Sequence, residues 1–189
     1  MTAPREERRP VRHTLIALVQ DHPGVLNRVV SLFRRRGYNI ESLAVGASET
    51  PGLSRMTIVV DVRDVDQVVN QFRRLIEVQT VRSVTTERTV VRETALVKVA
   101  APESRRSALR DLAHRAFARV IHAGEEAVLL EITARPDEVN AFVAHAREYG
   151  AVELTRSGQI AMTLGAASFP EVPVPYFWQA DGAAEDALA

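Results

Sequence analysis

The turn "DHPG" (residues 21–24) combines features that suit a small ligand with one negatively and one positively charged group. It directly precedes an apolar pattern with helical spacing. N–H groups in the first turn of a helix lack intrahelical partners, and the helix dipole makes that end positive. Gly24 has no side chain, so a carboxylate could approach these groups closely. Asp21 could accept a hydrogen bond from an ammonium group. Together they predict an α-amino-acid site; alternatively, Asp21 caps the helix and Pro23 and Gly24 only shape the turn.

No other stretch has the spacing of a recognised catalytic or metal site. The common metalloprotease, nucleophile-elbow, phosphate-loop and dinucleotide-binding patterns are absent, and the five histidines are not spaced as metal ligands. Three consecutive arginines (34–36) could bind phosphate, but cations are also favoured at a helix C-terminus. Asp61, Asp64 and Asp66 could hold a cation, but they fall at a strand-to-helix junction, where carboxylates cap helices. The residues alone predict a binding module.

The elements that position the turn are predicted in the order β-α-β-β-α-β, which is ferredoxin-like. Strands are predicted at 13–20, 38–46, 52–62 and 78–91, and helices at 25–36 and 64–77. The core face of the first helix is predicted to contain Val25, Leu26, Val29, Val30, Leu32 and Phe33. Gly37 should end that helix. Asp64 should cap the second helix, whose apolar spacing runs to Ile76.

The same order of elements is predicted a second time, which makes the chain an α+β protein of two ferredoxin-like units. Strands are predicted at 93–101, 118–123, 127–134 and 151–157, and helices at 103–117 and 136–149. The first domain is predicted at residues 13–88 and the second at 93–165, with the join near 88–94. The turn that opens the first helix of the second unit, "AAPESRRSA", has no glycine, so we expect no amino-acid site there.

The two ends of the chain have different compositions from these units. Residues 1–12 are polar and contain proline, and we expect a disordered N-terminal tail. Residues 166–189 contain prolines but no helical or strand period, and we expect a mobile C-terminal tail. Tyr176, Phe177 and Trp178 lie within that tail, and they could dock on the domain or on a partner.

Asn39 bears on the amino-acid site only if two chains are considered. It follows a helix of about 13 residues, which is about 20 Å long, so one small ligand cannot touch Gly24 and Asn39 of one chain. The second strand is an edge strand in this fold, and an uncovered edge tends to pair. If two chains pair these strands antiparallel about a two-fold axis, Asn39 of one approaches Gly24 of the other. A homodimer would then form two equivalent sites.

The composition excludes several classes of protein. The 24 basic and 24 acidic residues cancel, whereas a nucleic-acid binder usually shows a basic excess. The sequence has no cysteine, so it has no disulfide framework and no thiolate chemistry. No apolar run approaches the length of a membrane span, and the charged start does not resemble a signal peptide. We therefore expect a cytoplasmic chain without membrane or nucleic-acid partners.

Several stretches resemble one known family, the regulatory (small) subunit of acetolactate synthase, also called acetohydroxyacid synthase. The resemblance covers roughly residues 13–165, and the stretches that carry it are "DHPGVLNRV" (21–29), "RRGYNIESL" (35–43), "LSRMTIVV" (53–60), "RETALVKV" (92–99) and "TRSG" (155–158). It implies that the first unit is an ACT domain, a ferredoxin-like module that binds amino acids. Many members have Asn where this chain has Asp21.

The resemblance also implies a function, a partner and a site. The chain would be a non-catalytic subunit that activates a large catalytic subunit and confers feedback inhibition by valine or another branched-chain amino acid, leucine or isoleucine. Thiamine diphosphate, Mg and FAD would be carried by that partner, with no cofactor or metal in this chain. The amino-acid contacts would map onto Asp21, His22, Gly24, Val25, Leu26, Asn39 and Ile40.

Two other functions remain open at this stage. The chain could be a stand-alone ACT-domain sensor that acts on a different enzyme or regulator. It could also be an independent enzyme, although the sequence offers no catalytic constellation.

Overall fold

The computed structural model describes residues 11–164, which form two compact units. The first contains residues 11–89 together with 163–164, and the second is Val90–Met162. Predictions for residues 1–10 and 165–189 lie outside the described range. Within that range, no helix has the length and apolar character that a membrane crossing requires.

The first unit has the predicted β-α-β-β-α-β order. Its elements are β1 (Val11–Gln20), α1 (Val25–Arg36), β2 (Asn39–Ala47), β3 (Leu53–Val62), α2 (Val65–Phe72) and β4 (Val78–Ser83). The strands form a four-stranded antiparallel sheet in the order β2-β3-β1-β4, so β2 is an edge strand as predicted. Side chains alternate across a strand, and those on one face of β1 and β3 pack with the helices. The core includes Leu15, Ala17, Val19, Phe33, Ile58, Val60 and Phe72.

The predicted core face of α1 is too wide. Leu26 and Val30 are 45% and 39% exposed, although the apolar pattern places them in the core. The buried positions are Val25, Val29, Leu32 and Phe33. Residues 26 and 30 lie about 100° further round the helix, at the border of that stripe. An apolar pair on α1 therefore remains accessible beside the turn that begins the helix.

The second helix is shorter than its apolar spacing predicts. It ends at Phe72, and Ile76 is exposed. Val68, Val69 and Phe72 already bury the contact face, and the chain then turns back towards β4. The turn is held by Leu75 N–H donating to Phe72 O at 3.1 Å and Val78 N–H donating to Leu75 O at 3.0 Å.

Two boundaries of the first unit also differ from the prediction. The first strand starts at Val11, so residues 11 and 12 pair with β3 and do not belong to the predicted disordered tail. The predicted strand 78–91 is interrupted after Ser83, and the next strand begins only at Thr89. The segment between them includes a turn in which Glu87 N–H donates to Val84 O at 3.1 Å.

The second unit repeats the architecture. Its elements are β5 (Thr89–Ala100), α3 (Glu103–Arg115), β6 (Arg119–Ala123), β7 (Ala127–Ala134), α4 (Pro136–Glu148) and β8 (Ala151–Thr163), with the sheet order β6-β7-β5-β8. Its core includes Val97, Val99, Leu109, Leu130, Ile132, Val139 and Phe142. Buried Glu93 accepts from Arg156 Nε at 2.8 Å as half of a two-point ion pair, which joins β5 to β8.

The repetition extends to local backbone geometry. Gly37 ends α1 in the left-handed region with φ 68°, and Phe117 occupies the equivalent position after α3 with φ 53°. Both ends form a Schellman motif, through Tyr38 N–H to Phe33 O at 3.0 Å and Ala118 N–H to Ala113 O at 2.8 Å. The strand that follows has a register shift after its second residue in each unit, in β2 and in β6.

Candidate functional site

The turn before α1 is built around Gly24, which has φ 94°. An L side chain rarely adopts this left-handed conformation, so the backbone itself requires glycine. His22 O accepts from Val25 N–H at 3.4 Å, and Gly24 O accepts from Arg28 N–H at 3.0 Å. A Cβ atom placed on Gly24 would meet no atom within 4 Å. The space in front of the turn is therefore open to a ligand.

The N-terminus of α1 has no cap from any side chain in residues 11–164, and its first turn contains no acidic residue. By contrast, Asp64 caps α2 as predicted by accepting from Gln67 N–H at 3.0 Å, and Glu138 at the start of α4 accepts from Arg135 N–H at 2.9 Å. The alternative in which Asp21 caps α1 is therefore wrong. The positive end of this helix is available to an external anion.

Asp21 is held in place by its backbone and not by its side chain. Its N–H donates to Gly52 O at 2.8 Å, which ties the turn to the loop between β2 and β3. The carboxylate is exposed and has no partner among residues 11–164. The neighbouring His22 ring contacts Gln20 Oε1 at 3.0 Å and Pro23 O at 3.1 Å. Of these two side chains, Asp21 is the one free to accept from an ammonium group.

Val25 and Leu26 face in different directions. The side chain of Val25 packs in the core of the first unit, so Val25 can offer a ligand only its backbone. Leu26 is exposed, and Val30 lies one turn further along the same side of α1. These two side chains could contact the aliphatic part of a ligand whose carboxylate lies at the helix N-terminus.

Asn39 and Ile40 lie at the opposite end of the sheet. Gln20 at the end of β1 is opposite Leu53 of β3, whereas Asn39 is opposite Asp61. Eight residues of β3 separate those two positions, which corresponds to about 27 Å. Asn39 is exposed, and Ile40 packs partly against the core. The predicted site residues thus form two groups, one at each end of one sheet.

An ion pair that sequence reasoning missed fixes the position of α1. Arg28, in the first turns of the helix, lies 2.9 Å from Glu77 Oε1, and Glu77 is only 4% exposed. The backbone O of Glu77 also accepts from Gln20 N–H at 2.8 Å. Glu77 Oε2 has no hydrogen-bond partner within the described part of the chain. Glu77 thereby links α1 and the end of β1 to the start of β4.

The edge strand β2 carries features that bear on pairing. Glu41 is the extra residue at the register shift, and its carboxylate forms an ion pair with the Arg12 side chain of β1. Val45 is exposed on this strand. Arg55 of β3 lies opposite Gly46, and burial lowers the pKa of Arg55 while the nearby Glu49 carboxylate opposes that shift.

In the range 11–164, no group of three or more acidic, His or Cys side chains could hold a metal ion.

Comparisons with known proteins identify the two units separately. Residues 15–80 match the family described as the AHAS small subunit-like ACT domain. Residues 92–165 match the family described as the small subunit of acetolactate synthase. The fold and the first match define the class: an α+β chain with an amino-terminal ACT domain.

Whole-chain comparisons place the chain within that class. It is 45% identical to the probable acetolactate synthase small subunit of Archaeoglobus fulgidus, over 82% of this chain and 98% of the relative. It is 41% identical to the acetolactate synthase small subunit of Mycolicibacterium smegmatis, over 81% of this chain and 91% of the relative. The crystal structure of the small subunit from Thermotoga maritima aligns with a TM-score of 0.76 and 36% identity, over 82% of this chain and 98% of that one. The chain belongs to the family of acetolactate synthase small subunits, which are regulatory.

Proposed function

We propose that this chain binds valine, or another branched-chain amino acid, at its ACT domain and thereby confers feedback inhibition on the large catalytic subunit that it activates. The observation that carries the proposal is the uncapped N-terminus of α1, where Gly24 leaves open space and no acidic residue occupies the first turn. In this proposal the chain has no catalytic residues.

The residues of the turn suit each part of an amino acid. The ligand carboxylate would accept from N–H groups in the first turn of α1, where the helix dipole favours negative charge. The ammonium group would donate to the Asp21 carboxylate, which is exposed and has no partner among the described residues. Leu26 would contact the branched side chain. A longer or polar side chain would lose this apolar contact.

A second copy of the chain would complete the site. We infer a C2 dimer in which the two β2 strands pair antiparallel with Leu43 at the two-fold axis. Asn39 would then lie opposite Ala47 of the second copy. Ala47 is opposite Ser54 of β3, as is Val19 near the end of β1. Asn39 of one copy would thus approach the end of the sheet where the other copy carries Gly24.

The second unit is not expected to bind an amino acid in the same way. The residue before its first helix is Pro102, with φ −58°, and Glu103 lies in the first turn. A carboxylate already present at that helix N-terminus disfavours a second one. We therefore propose one amino-acid site per chain, within a first domain of residues 13–88.

The chemistry would take place on the other subunit. The large subunit would carry thiamine diphosphate, Mg and FAD, and would condense pyruvate with pyruvate or 2-oxobutyrate. Inhibition would then be allosteric, because the amino acid and the substrate bind to different chains. The ligand can shift the complex only as far as its affinity differs between the active and the inhibited assembly.

An activity assay tests this proposal. The large subunit is assayed alone and with this chain, in each case over a titration of valine, and then of leucine and isoleucine. The proposal predicts that the chain raises the activity and makes it sensitive to at least one of the three. Activation without any such sensitivity would contradict the feedback role. Failure to activate would instead favour a sensor that acts on a different partner.

A further inference from the structure

The second unit contains a groove that the proposed function does not use. It has a volume of about 540 Å³ and lies between the C-terminal end of α3, the N-terminal and central turns of α4 and the end of β7. Its lining includes the apolar residues Leu112, Phe117, Ile132 and Phe142, of which Phe117 is exposed and the other three are buried. Arg92 and Arg115 also line it. An apolar groove with cations along its walls suits an apolar segment that carries negative charge.

Phe117 is the unusual residue of this groove. It is the one non-glycine residue with positive φ in the described range, and its side chain is 94% exposed. The equivalent position in the first unit is Gly37, which adopts this conformation without strain. A bulky residue in a strained and exposed position is a reason to look for a function. Here it adds an aromatic wall to the groove.

The charges of the groove leave it positive. No ion pair of Arg92 or Arg115 occurs within residues 11–164, and both side chains are exposed. The acidic side chain in the lining, Glu138, already accepts from Arg135 N–H at 2.9 Å. His145 Nδ1 contacts Ala141 O at 2.8 Å, within its own helix. Arg92 Nη1 also donates to Val91 O at 2.8 Å. The Glu138 carboxylate keeps its negative charge, so two guanidinium groups against one carboxylate leave the lining with a net positive charge.

We propose that the occupant is the segment 173–178 of this chain, with the sequence "PVPYFW". Residues 165–189 contain four acidic residues, Glu171, Asp181, Glu185 and Asp186, and neither Lys nor Arg. Acidic residues thus flank three consecutive aromatic ones on both sides. The aromatic rings fill the groove against Phe117, and the flanking carboxylates lie near Arg92 and Arg115. Proline residues within the segment reduce the entropy lost on docking.

The length of chain between the described part and the segment allows docking on the same molecule. Eleven residues separate Leu164 from Tyr176, and they can span up to about 40 Å. Leu164 N–H donates to Arg88 O at 2.7 Å. Arg92 of the groove is four residues from Arg88 and so lies at most about 14 Å from it. The tether therefore reaches the groove.

The segment lies beyond the region that matches the family. The family match ends at residue 165, and the alignment with the Archaeoglobus fulgidus relative covers 98% of that protein but only 82% of this chain. Docking of this segment therefore depends on residues of this chain that lie outside the family match. It is also independent of the amino-acid site in the first unit.

The experiment uses Trp178, the only tryptophan of the chain, as a probe in the full-length protein. The wavelength of its fluorescence emission and its quenching by acrylamide are measured in wild type and in Phe117→Gly. Glycine removes the aromatic wall but relieves the backbone strain, so this variant should unfold at the same or a higher temperature. We expect its emission to shift to longer wavelength and its quenching to rise severalfold.

Matched variants separate this groove from other surfaces. Arg115→Glu should also raise the quenching, whereas Arg105→Glu, an exposed arginine on the same helix, should leave it unchanged. Val152→Ala, an exposed apolar residue on β8, should have no effect. At high salt, acrylamide quenching of Trp178 in the wild-type protein should rise to the level seen in Arg115→Glu, because screening weakens the charge contacts.

Several results would overturn the proposal. One is a Trp178 that is already fully exposed in wild type, or that becomes buried only when the large subunit is added. Another is an emission that changes in Val152→Ala but not in Phe117→Gly. Burial that depends on protein concentration would place the segment in the groove of a second copy, contrary to docking within one chain.

Discussion

Two features of Gly24 bear on its role in the proposed site: its backbone conformation and the open space in front of it. Its φ of 94° disfavours any side chain, and the open volume beyond it lies at the positive end of α1. Substitutions can distinguish the two features, because alanine disturbs only the backbone conformation. Aspartate disturbs both, and it also places a negative charge where the ligand carboxylate would lie.

Gly24→Asp should abolish feedback inhibition while the chain still activates the large subunit. The matched control is Gly24→Ala, which shares the backbone strain of about 1 kcal/mol but adds no charge. Valine titrations of the reconstituted enzyme compare the two. Inhibition of Gly24→Asp that equals wild type would remove the turn from the site.

Asn39→Ala should weaken valine binding by about 1–3 kcal/mol, the usual loss for a hydrogen bond to a charged group. Because Asn39 is exposed, the free energy of unfolding should change by less than about 0.5 kcal/mol. Calorimetric titration measures the first quantity and chemical denaturation the second. An unaltered binding constant would exclude Asn39 as a ligand contact.

Arg28→Ala should destabilise the first unit by about 1–3 kcal/mol, since it leaves the buried Glu77 carboxylate without its charged partner. Arg34→Ala is the control, because that arginine is exposed on the same helix and should cost less than about 0.5 kcal/mol. Urea denaturation followed by circular dichroism compares them. Equal stabilities would show that the Arg28–Glu77 pair contributes nothing measurable.

The elements were more predictable than the contacts between them. Element order, the edge position of β2 and the Asp64 cap follow from local patterns of apolar, turn and capping residues. The exposure of Leu26 depends on how α1 crosses the sheet, which periodicity does not specify. The partner of Arg28 is 49 positions away in sequence, and only the placement of β4 beside β1 brings Glu77 to it.

The predicted site shows the same division. The turn at Gly24 could be located from sequence, because glycine and a helix start have local signals. The distance to Asn39 also followed from helix length. The sequence could not show that Val25 is buried and Leu26 exposed, because the direction of each side chain depends on the packing of the whole helix.

At the element scale, the register of the proposed dimer can be tested on β2. With Leu43 at the two-fold axis, Val45 of one copy lies opposite Glu41 of the other. Val45→Glu would bring like charges together and should weaken the dimer, whereas Val45→Lys should retain it. Molar mass from light scattering over a dilution series measures both. Equal dissociation of the two variants would contradict this register.

At the scale of the whole molecule, two similar units have different surfaces. The first has an uncapped helix N-terminus and a glycine end cap at Gly37, while the second has Glu103 at the start of α3 and a strained Phe117 at its end. The same backbone would thus carry the proposed amino-acid site in the first unit, and it forms an apolar groove in the second. The function of each depends on a few residues at helix ends.

Coupling between the subunits is reciprocal if it is an equilibrium effect. The factor by which valine changes the affinity of this chain for the large subunit should equal the factor by which the large subunit changes the affinity for valine. Both can be measured by calorimetry in the same buffer. Unequal factors would show that the inhibition is not a simple linkage of two binding equilibria.

The most direct test of the shared site is complementation between two variants that are each deficient in valine binding. In a mixture of Gly24→Asp and Asn39→Ala chains, a heterodimer contains one site with Gly24 from one copy and Asn39 from the other. With random pairing, half of the dimers are mixed and one of their two sites is intact, so about a quarter of the wild-type number of high-affinity sites should reappear. Calorimetry counts these sites. If the mixture shows no high-affinity site beyond those of the two variants measured separately, two protomers do not share the site.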